Sequence, residues 1–113
     1  MTREESCVAG YNIVQNSGVA KTKLFHALEA ASHGNYDEAR CLIESAEELI
    51  CKAQSLKSVF EEEVSHSDSK LAFVVEHGTD HLMTTIILKD LVMDITENPC
   101  NEGKIHTFFK YYH

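Results

Sequence analysis

The residues able to do chemistry gather in one short run. From Glu76 to Leu91 the sequence reads EHGTDHLMTTIILKDL, with His77 and His81 four positions apart and Asp80 just before the second histidine. On an α-helix, residues three and four apart are neighbours. His77, Asp80, His81 and Thr84 therefore form a polar stripe on a segment otherwise apolar enough for a buried helix. Buried polar groups without partners cost free energy, so such a stripe is either satisfied or functional.

Three readings fit the spacing. In the first, the two histidines chelate zinc with Asp80 as a third ligand. The zincin motif, however, needs Glu beside the first histidine, and here Gly78 and Thr79 intervene. In the second, a neutral imidazole acts as nucleophile. Gly78 leaves room beside His77 for a bulky donor. A phosphoryl group on that ring needs neutral or donor neighbours, which His81 and Thr84 offer. Asp80, an anion, makes more sense facing away, towards a subunit axis. The third reading is polar packing with no chemistry. No Gly-x-Ser-x-Gly elbow and no Gly-rich phosphate loop offers another route.

The elements that must position this stripe are legible from periodicity and breakers. One proline, Pro99, and five glycines make long helices the default. A first helix is predicted from about Arg3 to Ser32, with Val8, Ile13, Val14, Leu24, Phe25 and Leu28 at helical spacing. Gly10 and Gly18 inside it suggest close helix contacts or a bend. HGNYDEA reads as a stop and a restart: Gly34 suits a left-handed C-terminal cap and Asn35 an N-cap. The second helix is predicted over about Tyr36 to Val64, with Ala39, Leu42, Ile43, Ala46, Leu49, Ile50, Ala53, Leu56 and Phe60 as its stripe. SHSDSK, Ser65 to Lys70, is the second loop, and the third helix covers about Ser69 to Thr96 before Pro99 ends it. Short connections make neighbours antiparallel, giving an all-α, up-down-up three-helix bundle over 1–98. The tail, 99–113, carries Ile105, Phe108, Phe109 and Tyr112 at helical spacing, as in a short fourth helix or a frayed end.

The third helix is apolar on more than one side. Leu71, Val74, Val75, Leu82, Thr85, Ile86 and Val92 form one face; Phe73, Met83, Ile87, Leu91 and Ile95 fall largely elsewhere. A helix apolar on two sides is buried on two sides. In a chain of 113 residues the second side points to another subunit, hence an oligomer with this helix at the interface.

Composition narrows the function classes. Apolar residues make up 43 % and charged residues 25 %, ordinary globular values that argue against disorder. The net charge of −8 argues against nucleic acid and against a membrane surface. No apolar run approaches the roughly 20 residues of a membrane span, and MTREESCVAG has no export signal. Cys7, Cys41, Cys51 and Cys100 form no C-x-x-C pair and read as reduced thiols of the small core-hydrophobe kind in a cytoplasmic protein.

The motifs themselves carry a resemblance. HGTDHLMTTIILKDL resembles the active-site segment of the enzyme IIA component of the lactose/cellobiose family of the phosphoenolpyruvate-dependent sugar phosphotransferase system, which typically reads His-Ala/Gly-Gln-Asp-His-Leu-Met-Thr there. GYNIVQNSGVAKT resembles the family's Gly-x-x-Ile-Val with its later Gly-x-Ala-Arg/Lys-Ser, and ALEAASHGNYDEA its Ala-Leu-x-x-Ala-x-x-Gly-Asp-Phe-x-x-Ala. The resemblance covers about residues 4 to 95. It implies a cytoplasmic homotrimer of three-helix protomers. It implies that His77 accepts a phosphoryl group from the carrier HPr and passes it to a cysteine of enzyme IIB, for a sugar entering through membrane enzyme IIC. Asp80 then meets its two symmetry mates at the trimer axis, where a divalent cation such as Mg2+ binds, and His81 and Thr84 neighbour the phosphoryl site. Converging carboxylates need a cation or bound protons, and a hard divalent ion takes oxygen ligands. The chain departs from the family at Thr79, at Glu76, and in AQSLKS, where Gln54, Lys57 and Ser58 replace Ala-His-x-x-Gln-Thr. Lys57 then either faces the phosphoryl group or is solvated. The alternative is a helical oligomeric regulatory or metal-binding module that keeps the fold without transfer.

Overall fold

The structure, a computed structural model, describes residues 2–63 and 69–97. Expectations for residues 64–68 and for the tail 99–113 lie outside the described residues. Three helices follow in order: α1 (Arg3–Ser32), α2 (Tyr36–Glu63) and α3 (Ser69–Glu97), with no strand among the described residues. Each helix falls within a residue of its predicted bounds.

Local chemistry sets the ends. The Thr2 hydroxyl accepts the Glu5 amide at 3.1 Å and caps α1. At the other end Gly34 takes φ 80°. That left-handed turn lets the Asn35 amide reach the Ala30 carbonyl at 2.9 Å and the Gly34 amide reach Ala31 at 3.0 Å. Both bonds belong to the Schellman arrangement, which a Cβ at Gly34 would strain. The Asn35 carbonyl then accepts the Ala39 amide and starts α2.

Helix α1 packs against both other helices, which touch each other less. Its buried stripe is Ile13, Ala20, Leu24, Ala27, Leu28 and Ala31. From α2 come Ala39, Ile43, Ala46, Ile50 and Ala53; from α3 come Leu82, Leu88, Val92 and Ile95. Each fully buried Leu, Ile or Val contributes about 1.5–3 kcal/mol. Val8 and the described thiols Cys7, Cys41 and Cys51 stand in solvent, against their expected place in the core. Helical rotation, rather than residue type, put them on the outer faces. Gly18 likewise makes no close contact, since a Cβ there would meet nothing within 4 Å. No described helix is long and apolar enough to cross a membrane.

The two faces of α3 separate as the pattern implied, except that Ile95 joins the core. Leu82, Thr85, Leu88 and Val92 are buried against α1 and α2. Phe73, Met83, Ile87 and Leu91 are 68 %, 48 %, 65 % and 40 % exposed.

Candidate functional site

Two contacts seat α3 on α1. Gly78 is buried, and a Cβ there would lie 3.2 Å from Cγ2 of Ile13 and 3.8 Å from the carbonyl oxygen of Gly10. The helices therefore touch almost backbone to backbone beside His77. One step further along, the buried Thr85 hydroxyl donates to its own helix at the His81 carbonyl, 2.8 Å away, and lies 3.4 Å from the Ser17 carbonyl of α1. The Ser17 hydroxyl itself is buried and has no hydrogen-bond partner among the described residues. Glycine contact and threonine bond together fix the axial register of α3 against α1.

That register presents the predicted stripe along a shallow groove of about 210 Å3, lined by Lys21, His77, Asp80, His81, Thr84 and Thr85. His77, Asp80, His81 and Thr84 do stand together, as their spacing demands. They are exposed, however, so within one chain the stripe is not buried. The helix turns its Leu82–Thr85 side inward, and the stripe runs from His81, beside that side, round to Asp80 on the solvent face. Asp80 lines the groove with the histidines and is exposed.

The two imidazoles meet edge to face, their centroids 4.7 Å apart at 73°. On its other side His77 lies parallel to Phe73, with centroids 6.1 Å apart and 7° between planes. His77 is thus flanked along the helix by one ring on each side, with its remaining edge open to solvent. Thr84 is less available than its position suggests. Its hydroxyl donates to the Asp80 carbonyl at 2.8 Å, so its proton is already engaged. Lys57, half-buried on α2, does not line the groove. Among the described residues, the cation that does is Lys21 of α1, which spacing on α3 could not reveal. Its only sequence signal is its place in GVAKT, one turn after Ser17.

Among the described residues of one chain, no three His, Cys, Asp or Glu side chains are placed to hold a metal ion. That disfavours the stand-alone zinc reading, since a site needs about four ligands. A second cleft at the α1–α2 turn gathers His26, Glu29, His33 and Glu38, again without a metal-holding group among the described residues.

Residues 9–98 match the family model described as PTS system, Lactose/Cellobiose specific IIA subunit. The chain is 42 % identical over 98 residues to a PTS system lactose-specific EIIA component of Streptococcus mutans, covering 86 % of this chain and 94 % of the relative. It is 39 % identical, over 86 % of this chain and 95 % of the relative, to the component of that name in Staphylococcus aureus. With that of Lactococcus lactis subsp. lactis the identity is 38 %, over 86 % and 93 %. The chain belongs to the lactose/cellobiose-specific IIA family of the sugar phosphotransferase system.

Proposed function

We propose that this chain is a phosphohistidine carrier of the sugar phosphotransferase system, with His77 as the acceptor. Phospho-HPr is the donor, a cysteine of enzyme IIB the next acceptor, and the sugar entering through membrane enzyme IIC the final one. The sugar is of the lactose, cellobiose or chitobiose type, and the work is done at the cytoplasmic face. The observation that carries this reading is His77 itself. It is an exposed imidazole at the rim of a groove, held between Phe73 and His81 and open on the side a partner must approach. A carrier needs such a nucleophile, because the group must arrive from one protein and leave to another.

Transfer is an exchange of P–N bonds. The donor ring, protonated on its other nitrogen, leaves as neutral imidazole with the electron pair of the broken bond. A ring-nitrogen lone pair of neutral His77 forms the new bond, and that ring keeps its proton on the other nitrogen. The transferring group passes through a loose transition state with charge on its three equatorial oxygens, so rate comes from positioning and electrostatics.

The working form in this proposal is a homotrimer. Support comes from the apolar row Phe73, Met83, Ile87 and Leu91, which one chain leaves in water. Asp80 stands exposed on the same helix. One chain brings one such carboxylate. A divalent cation such as Mg2+ would therefore be held by Asp80 from each of three copies, and it would neutralise charge that otherwise opposes assembly.

The test is phosphoryl transfer from phosphoenolpyruvate through enzyme I and HPr, read by intact mass on wild type and His77→Gln. The expected result is one phosphoryl group per chain in wild type and none in the variant. A labelled His77→Gln chain would move the acceptor elsewhere. An unlabelled wild type beside labelled HPr would remove the carrier function.

A further inference from the structure

We propose that Lys21, on α1, binds the phosphoryl group while His77 carries it; the inference rests on the carrier reading above. The argument begins with what a phosphoryl group on His77 would meet. Six of the described residues line the groove, and one of them, Asp80, repels an anion. Both threonines have committed their hydroxyl protons to carbonyls, Thr84 to Asp80 and Thr85 to His81. They offer lone pairs, which phosphate oxygens do not want. The remaining donors among the described residues are the imidazole edge of His81 and the ammonium of Lys21. Among the described lining residues Lys21 alone carries a full positive charge, in a chain of net charge −8.

The placement is built rather than incidental. Lys21 follows Ser17 by one helical turn, and Ser17 is the residue whose carbonyl Thr85 approaches. Helical side chains lean towards the N-terminus of their own helix. Because α1 and α3 run parallel, a lysine at position 21 leans back towards the level of Thr84 and His81. Its four-carbon stem reaches the groove from the helix opposite the nucleophile. The lysine makes no ion pair with a described residue, so its ammonium is not spent on a carboxylate. A compact, mobile ammonium suits a group that must be held and then released.

In the transfer step Lys21 takes and gives no proton. It faces the equatorial oxygens as the donor P–N bond breaks and the His77 P–N bond forms, offsetting charge that Asp80 opposes. Removing a preorganised donor from a closed site costs a hundredfold or more, and solvent exposure reduces that to about tenfold here.

The experiment compares wild type, Lys21→Gln and Lys21→Arg as full chains, with His77→Gln as the blank. Two donors are used: phospho-HPr, and phosphoramidate, a small donor that docks no protein. Lys21→Gln is expected to slow labelling about tenfold with both donors and to flatten the salt dependence of the rate, with Lys21→Arg close to wild type. Equal rates for Lys21→Gln and wild type would overturn the proposal and leave the carrier reading intact. Slowing with phospho-HPr alone would also overturn it, because Lys21 would then contact the donor protein and not the phosphoryl group. A wild type labelled by neither donor would end both readings together.

Discussion

Replacing Gly78 by alanine tests how closely α3 approaches α1 beside the proposed nucleophile. Three effects compete. Alanine in a helix interior is better than glycine by about 1 kcal/mol, and burying its methyl adds about 0.8 kcal/mol. Against these stands the 3.2 Å that would separate the new Cβ from Cγ2 of Ile13. Overpacking of a filled core costs about 1–3 kcal/mol, and a shortfall of a few tenths of an ångström belongs at the lower end. The net change is expected to be under about 1 kcal/mol either way. Because near-zero results are easily misread, the decisive measurement is a double-mutant cycle with Ile13→Ala. That change removes the obstructing Cγ2 and alone costs about 2–5 kcal/mol, since Ile13 is 1 % exposed. In its background Gly78→Ala should stabilise, giving a coupling of about 1–2 kcal/mol. Urea midpoints at one fixed protein concentration, with unchanged slopes, supply the four numbers. Strict additivity would refute the reasoning: the tight contact would not be with Ile13, and the register of α3 on α1 would need another cause.

Ile87→Glu is expected to lower the sedimentation mass from trimer to monomer while far-UV helicity persists, whereas Asp80→Leu should keep or strengthen the trimer; a wild-type monomer would remove the subunit-interface reading of this face. Gly34→Ala should destabilise by about 1–2 kcal/mol in urea, the cost of an L-residue at φ 80° with no steric clash added; an unchanged midpoint would mean the Schellman turn is not needed. These join the mass test on His77→Gln and the two-donor test on Lys21.

The helix bounds were legible because their signals are local. Gly34 and Asn35 stop one helix and start the next through bonds that span five residues or fewer. The alternation of core and surface on α2 follows from its 3.6-residue period alone. Likewise, His77, Asp80, His81 and Thr84 had to stand together on any helix, and the two apolar faces of α3 had to point apart. Where periodicity was read as burial, it misled. The stripe looked like the inside of a helix because its neighbours are apolar, yet those neighbours divide between the core and an outer face. The thiols of Cys7, Cys41 and Cys51 misled similarly, since residue type carries no information on which way a helix is turned.

The sequence by itself determined three helices, the Gly34 stop and Asn35 restart between the first two, and a histidine pair four residues apart on the last. Tertiary structure decided what that pair faces. Ser17 and Thr85 are 68 positions apart, and Gly78 finds Ile13 from a similar distance along the chain. No period of 3.6 residues encodes such meetings. They depend on which helices pack, at what rotation and in what register, and those follow from burying the whole core at once. Thr84 spends its proton on its own helix, and Lys21 reaches the groove from the helix opposite; both became visible only when the helices were in place.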